Sequence, residues 1–365
     1  MENQNHNMIP CKCCGAKLTY APGTMNLKCE FCGTENEIAI DEARMAESKE
    51  WRGYTDFLAD MDHSDDVAEI HTVKCNCCGA ETTFDQNVIS SKCDFCGAPI
   101  TVEQKHSRKL IKPQAVVPFK VAQQQAQELF RNWIKDLWFA PGDLKKSAEI
   151  EGGLTGMYLP YWDYMSWYAG EYEGERGDYY YTEEKTKDAQ GNETTRKVRH
   201  TRWTPKKGYI HNHTDEIFVP GSKSLPSIYL EHMGKWNLEE AVPFDEKFLS
   251  GFKTETYSVD IKVGYEEHAR PKVEQKIDED IRERIGGDEQ RISLSQIEIL
   301  QTFYKHIILP IWLSSFRYNG KSYQFVVNGQ NGTLRGDRPY SVAKIAITII
   351  SVIAAIAALI LIFKK

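Results

Sequence analysis

The longest hydrophobic run in the chain lies near its C-terminal end. Nineteen residues from Ile345 to Phe363 carry no charge, close to the ~20 that a helix needs to cross a bilayer. Lys344 precedes the run and two lysines follow it, where their ammonium groups can reach lipid headgroups. A core helix would have to be apolar on all sides and bordered by lysine. The pattern therefore predicts a transmembrane helix over 342–363, acting as a tail anchor.

The middle of the chain alternates between strand-like and helix-like patterns. Apolar residues recur at helical spacing from Val121 to Ile134, and again from Pro271 to Ile285 in a strongly charged segment. Leu154 to Trp167 is aromatic and strand-like, and Thr254 to Asp260 alternates as a strand does. We expect a mixed, β-rich α+β domain over 113–338.

Two segments of this domain resemble each other. Tyr158–Trp162 reads YLPYW and Ile308–Trp312 reads ILPIW. Each precedes a β-type stretch, for which Gly170 and the Asn-Gly pair at 319–320 predict turns. The recurrence predicts a duplicated β-unit, and chance repetition of a Leu-Pro strand start is the alternative.

A long polar hairpin is predicted from Asp178 to Gly208. Its outgoing arm is acidic and rich in tyrosine, whereas its return arm is basic and contains Trp203. Opposite charges across an antiparallel pair stabilise the hairpin, which favours self-pairing. A nucleic-acid contact along Arg196–Lys207 is the alternative.

The ten cysteines all lie within the first 96 residues and form two copies of one pattern, C-x2-C-x14-C-x2-C. A glycine follows the second and fourth cysteine of each copy, where a tight turn requires positive φ. Four thiolates at this spacing suit a tetrahedral Zn²⁺ ion, so we predict two zinc ribbons, each with one structural ion. The predicted ligands are Cys11, Cys14, Cys29 and Cys32 in residues 8–40, and Cys75, Cys78, Cys93 and Cys96 in residues 71–104.

Cys13 and Cys77 are left over in this assignment. We exclude them as ligands because the x2 spacing matches the downstream pair of each ribbon. A framework of five disulfides is the alternative, but the first residues contain no secretory signal. An acidic helical spacer over 41–70 is predicted between the ribbons.

The charge of the chain limits its partners. The formal net charge is −7, and two four-thiolate zinc sites would make it more negative. This argues against broad electrostatic attraction to nucleic acid, although a local basic patch is compatible with it. No phosphate loop, nucleophile elbow or zinc-protease motif is present. An enzymatic site at Asp163, His211 and His213 has weak support, because no third metal ligand or base is evident.

The soluble part resembles a bacterial family of tail-anchored double zinc-ribbon proteins that are often labelled as related to the primosomal helicase. The resemblance rests on the two ribbons, the two Leu-Pro segments, and the stretches Phe218–Pro226, Pro243–Phe252 and Val327–Gly332. Some members resemble the zinc-ribbon membrane protein of stress operons that encode phage-shock-protein-A-like and flotillin-like proteins. The ATP-binding and helicase motifs are missing here, so DNA unwinding is not expected.

The resemblance implies an adaptor that recruits partner proteins at the membrane. Reduced thiols place the folded bulk on the cytoplasmic side of the cell membrane. We expect contact with the lipid bilayer through the anchor, and protein partners of the phage-shock-protein-A-like or flotillin-like kind. A membrane-tethered nucleic-acid-binding protein is the alternative.

Overall fold

A computed structural model describes residues 9–61, 67–83, 90–93, 95, 98–101, 105–144, 149–187 and 193–363. The strands are Leu18–Tyr20, Asn26–Cys29, Glu35–Glu37, Arg52–Gly53, Val67–Lys74, Glu81–Thr83, Ser90–Lys92, Pro99–Thr101, Lys105–Ile111, Ala115–Val116, Glu149–Lys187, Glu193–His213, Ile217–Pro220, Val242–Pro243, Lys253–Thr254, Glu289–Tyr318, Lys321–Asn328 and Leu334–Gly336. The α-helices are Glu42–Lys49, Tyr54–Asp60, Gln123–Asp136, Ser227–Glu231, Ile261–Val263, Arg270–Ile285 and Val342–Phe363. Leu238–Glu240 and Glu246–Leu249 form 3₁₀ turns, and Gly264–Ala269 forms a π-helical segment. The predicted β-rich α+β fold with one apolar C-terminal helix is confirmed.

Two very long strands form the centre of the main sheet. Glu149–Lys187, the first long strand, pairs antiparallel with Glu289–Tyr318, the second long strand. The first long strand also pairs with Glu193–His213, the return strand, which completes the predicted polar hairpin. Helix Gln123–Asp136 packs over one part of this sheet and helix Arg270–Ile285 over another, each through its buried apolar residues.

The two Leu-Pro segments lie side by side at the centre of this sheet. Leu159 is directly opposite Leu309, and the flanking residues pair symmetrically about them. The tight turn at Asn319 and Gly320 then returns the second long strand, with positive φ at both residues, as the sequence predicted. Trp162 and Trp312 therefore occupy matching positions on the two strands.

The matching extends to contacts far along the chain. The Trp162 indole donates a hydrogen bond to the carbonyl of Val259 at 2.8 Å, and the Trp312 indole donates one to Val121 at 2.8 Å. A further pair of equal contacts runs from the amides of Gly221 and Gly329 to the carbonyls of Pro160 and Pro310, again at 2.8 Å each. The two Leu-Pro segments thus make the same backbone and tryptophan hydrogen bonds to residues outside them.

Two sequence-based predictions are wrong. Thr254–Asp260 is a strand only at its start, because the Glu255 amide donates to Tyr158 but the following residues leave the sheet. Its buried residues do not alternate, since Glu255, Thr256 and Tyr257 are buried in succession. The Tyr257 ring packs on Trp162, at 5.0 Å between centroids. Gly170 makes no turn; it lies within the first long strand, where a Cβ would be 1.9 Å from the carbonyl oxygen of Gln296.

The segment between the two ribbons packs on the main sheet. Two helices are present there, as the sequence predicted, and Arg52–Gly53 pairs with the second long strand between them. Tyr54 is buried and its ring lies 4.8 Å from that of Tyr265. Strand Val67–Lys74 begins inside the range expected for the spacer and pairs with Glu81–Thr83 of the second ribbon.

Candidate metal centres

The first cysteine group brings four sulfur atoms together. The Sγ atoms of Cys11, Cys14, Cys29 and Cys32 all lie within 4.8 Å of one another. Cys11 and Cys32 are separated by 3.6 Å, and Cys14 and Cys29 by 3.5 Å. A disulfide would require about 2.05 Å. Tetrahedral ligands at 2.3 Å from a metal would be separated by roughly 3.8 Å, which fits the group.

Two tight turns position these sulfurs. The amide of Gly15 donates to the carbonyl of Cys11 and that of Gly33 to Cys29, each at 2.9 Å. Gly15 and Gly33 have φ of 75° and 73°, a conformation that glycine adopts without strain. Each turn presents its two cysteines from one side of the ribbon, so that the two turns face each other across the site.

The surroundings of two cysteines in the first group, Cys11 and Cys32, favour their thiolates. At Cys14 the Ala16 backbone hydrogen bond lowers the pKa, but the neighbouring Cys29 and Cys32 thiols raise it overall. The Cys13 amide lies 3.4 Å from the Cys11 sulfur and donates to it. The Thr34 hydroxyl and amide lower the pKa of the Cys32 thiol to about 6. Cys11 and Cys29 are buried, so their negative charges would require a neighbouring cation.

The second group repeats this arrangement among the residues that the structure describes. Cys75, Cys78 and Cys93 lie within 4.8 Å of one another, and the Cys78 and Cys93 sulfurs are 3.6 Å apart. The amide of Gly79 donates to the carbonyl of Cys75 at 2.9 Å, with φ of 78°. The predicted fourth ligand, Cys96, lies outside the described residues.

Cys13 and Cys77, the two cysteines excluded from the predicted ligand sets, are exposed side chains. Neither belongs to the groups of converging sulfurs. The structure therefore brings together all the predicted ligands that it describes, seven in total, in two separate groups. Each group can hold a metal ion through thiolates alone.

The two ribbons differ at the tip of their second turn, which the sequence did not reveal. Phe31, between Cys29 and Cys32, is 82% exposed, whereas the corresponding Phe95 is 3% exposed. Phe95 belongs to a core cluster that includes Leu309, and its carbonyl accepts a hydrogen bond from Gln324. The second ribbon thus uses this tip to dock on the main domain, and the first ribbon leaves the same tip open.

The first ribbon docks through its strand Leu18–Tyr20 instead. The Tyr20 amide donates to the Ser250 carbonyl at 2.9 Å, and the Ser250 hydroxyl donates to Leu18 at 2.6 Å. The Tyr20 ring packs on Phe248 at 5.4 Å. Both ribbons are therefore fixed to the same domain, but through different surfaces.

A buried carboxyl group lies where the second ribbon docks. The Thr256 amide donates to the Glu81 carbonyl at 3.0 Å, and neighbouring Glu255 is 1% exposed. Burial, together with the nearby Glu81 carboxylate, raises the pKa of Glu255 to about 7. The Ser224 hydroxyl donates to Glu255. No sequence pattern distinguished this residue from a surface glutamate.

The residues considered for an enzymatic site are not gathered into one. Asp163 is fully buried, and desolvation raises its pKa well above the usual range. The His213 ring stacks on that of Trp167, at 4.7 Å between centroids. Trp167 lies four residues after Asp163 on the first long strand. Because strands rise about 3.3 Å per residue, these groups are roughly 13 Å apart along the strand.

The basic arm of the hairpin is engaged with its neighbours. Lys207 forms an ion pair with Glu173 at 2.5 Å. The guanidinium of Arg199 lies 4.3 Å from the centre of the Tyr179 ring, and that of Arg291 lies 3.7 Å from Trp203. The Arg199 guanidinium and the Trp203 ring, which could stack on bases, are thus each in contact with a partner within the protein.

Beyond its first turn, the described part of the C-terminal helix is largely exposed. Val342–Ile360 is long and apolar enough to cross a membrane, and none of this stretch is buried within the fold. A soluble core helix of this length would be largely covered. The helix is therefore suited to a single-pass membrane anchor.

The chain is distantly similar to a curated protein of a bacterium. It is 25% identical over 247 residues to a Bacillus subtilis (strain 168) protein described as "Uncharacterized protein YdjG", and the match covers 64% of this chain. The chain spans 66% of that relative's length. No protein-family profile matches the chain, and no solved structure matches it.

The ligand assignment predicts different metal contents for two neighbouring variants. Cys14→Ser removes one donor of the first group and should lower the metal content by about one equivalent per chain, since structural sites need all four ligands. Cys13→Ser, the matched control, should retain the full content. Elemental analysis of the purified proteins makes the comparison. Loss of an equivalent in Cys13→Ser with retention in Cys14→Ser would refute the assignment.

Proposed function

We propose that this protein is a membrane-anchored zinc-ribbon adaptor that binds partner proteins at the cytoplasmic face of the cell membrane. The observation that carries the proposal is the exposed Phe31 tip on a ribbon whose sulfurs are already arranged for a metal. Its counterpart Phe95 packs into a core cluster that includes Leu309, which supports a docking role for such a tip.

Zinc is the metal that the donor set supports best. Four thiolates around a tetrahedral centre are typical of structural zinc. Such a shell leaves no position for water, so the two ions would stabilise the ribbons and take no part in a reaction. Each ribbon contributes only a few buried apolar residues, and metal binding supplies the folding free energy that a small core cannot.

The C-terminal helix would hold the protein at the membrane. Transfer of its exposed apolar surface from water into lipid would be favourable. Reduced thiols require a reducing compartment, which supports a cytoplasmic location for the ribbons. The anchor thereby places the Phe31 tip where peripheral membrane proteins gather.

The partner class follows from the sequence resemblance. Some members of that family resemble the zinc-ribbon membrane protein of stress operons that encode phage-shock-protein-A-like and flotillin-like proteins, which we propose as partners in a membrane-stress response. Binding through a ribbon tip needs a partner with an apolar surface, because Phe31 offers an aromatic ring flanked by Glu30 and Cys32.

We further propose that the main domain contains two copies of one β-unit. The matched pairings and equal indole contacts of Trp162 and Trp312 support this origin. Phe119 packs on Trp312 at 5.1 Å as Tyr257 packs on Trp162 at 5.0 Å. The two copies have diverged in sequence outside the Leu-Pro segments.

Removing the anchor should release the protein from membranes. A chain that lacks 342–365 is expected in the soluble fraction, because its remaining contact with lipid is small. A control in which 342–363 is replaced by a polyleucine helix should stay in the membrane fraction. Sedimentation of washed membranes separates the two, and equal retention of both chains would contradict the anchor.

Replacing Phe31 should abolish partner binding without affecting the fold. Phe31→Ala removes an exposed ring, so melting temperature and metal content should stay near those of the parent. Phe95→Ala, the matched variant, removes a buried ring and should cost about 3–5 kcal/mol of stability. Photo-crosslinking from position 31 in host membranes should yield adducts with phage-shock-protein-A-like or flotillin-like proteins.

Two results would count against the adaptor. Adducts with neither partner class, together with unchanged capture by Phe31→Ala, would remove the role of the tip. Salt-sensitive retention of DNA or RNA by the purified protein would instead support the nucleic-acid alternative.

A further inference from the structure

A loop of the main domain is tied to the first turn of the C-terminal helix. This loop, residues 137–141, follows the helix Gln123–Asp136. The amide of Ser341 donates to the carbonyl of Phe139 at 2.7 Å. The Lys344 ammonium donates to the carbonyls of Trp138 and Ala140 at 3.2 and 2.8 Å. The loop and the start of the apolar helix are therefore held at one level.

The other side of the loop is fixed to the core. Leu137, Ala140 and Leu144 are buried, with 4%, 2% and 0% of their surfaces exposed. The Tyr318 hydroxyl donates to the Asp143 carboxylate at 2.7 Å. Because the loop is held on both sides, it cannot easily rearrange to bury a side chain that points away from the core.

Trp138 is the exception within this fixed loop. It is 76% exposed, although its neighbours Leu137 and Ala140 are buried. Tyr340, just before the apolar helix, is 57% exposed and lies beside the Arg338 guanidinium at 5.2 Å. Two aromatic rings and basic side chains thus surround the point where the apolar helix leaves the domain.

We propose that Trp138 is a second membrane contact, inserted into the interfacial region of the bilayer beside the anchor. The inference rests on the proposed membrane-spanning role of the helix Val342–Phe363. Tryptophan is enriched at the membrane interface, where its ring lies among acyl chains and its N–H reaches polar groups. A span that begins near Ile345 brings the interface to the level of Lys344, and the Lys344 hydrogen bonds hold Trp138 at that level.

Lipid is the occupant that continuity with the helix favours. A protein partner would have to approach a loop whose adjoining surface is already a membrane span. Lys344 also has a positioning role in this account, because its ammonium is held by the loop carbonyls. A two-point contact restrains the main domain from swinging about a single helical tether.

The contact can be tested on the full chain in lipid nanodiscs with 5-fluorotryptophan labelling. Trp138→Phe identifies the Trp138 resonance among the eight tryptophans. Trp203→Phe identifies a control resonance, because Trp203 pairs near Glu289, at the opposite end of the second long strand from Tyr318. Lipids that carry a spin label near the headgroup should broaden the Trp138 resonance strongly and leave the Trp203 resonance sharp.

The outcomes separate this inference from the anchor on which it rests. A Trp138 resonance as sharp as that of Trp203, in chains that have entered the discs, would overturn the second contact and leave the anchor intact. A chain that fails to enter the discs would overturn both. Lys344→Ala should reduce the broadening of Trp138 while the chain stays in the discs. Unchanged broadening in that variant would contradict the positioning role of Lys344.

Discussion

The convergence of cysteine sulfurs at the two ribbons is the constraint on which the rest of the structure depends. As thiolates, sulfur atoms 3.5–3.6 Å apart would repel one another strongly, and a cation held among them would offset that repulsion. The strand Leu18–Tyr20 and the Phe31 tip are positioned by this closure, because the first ribbon has few buried apolar residues of its own. The docking of that ribbon on the main domain, and the exposure of the Phe31 tip, depend on the same four side chains.

The two long strands give the molecule a direction. The second long strand ends at Tyr318, near the loop beside the C-terminal helix, and begins at Glu289, beside the charged hairpin. A strand of 30 residues spans at most about 100 Å, and twisting shortens it. The membrane would lie at one end, the hairpin would project away from it, and the ribbons are fixed to the domain between these ends. In this arrangement the proposed anchor and Trp138 contact would restrain the orientation of the domain to which the first ribbon is fixed.

The sequence predicts those features of the fold that depend on interactions between residues close together in the chain. The cysteine spacing is set by the turn that each glycine closes, and the turn at Asn319 and Gly320 follows from local backbone preference. The different environments of Phe31 and Phe95 could not be predicted, because the two stretches are nearly identical and only long-range docking distinguishes them. The strand predicted at Thr254–Asp260 failed for a similar reason: an alternating sequence can be buried by long-range packing, here of Tyr257 on Trp162, without a strand partner.

The most direct test of the central claim is the absorption spectrum of the full-length protein after its native metal is exchanged for cobalt(II). Four-thiolate tetrahedral coordination predicts intense thiolate-to-metal charge-transfer absorption and strong visible ligand-field bands, with two cobalt ions bound per chain. A spectrum that lacks charge-transfer absorption, or that has the weak bands of six-coordinate cobalt, would contradict metal binding by the sulfur groups.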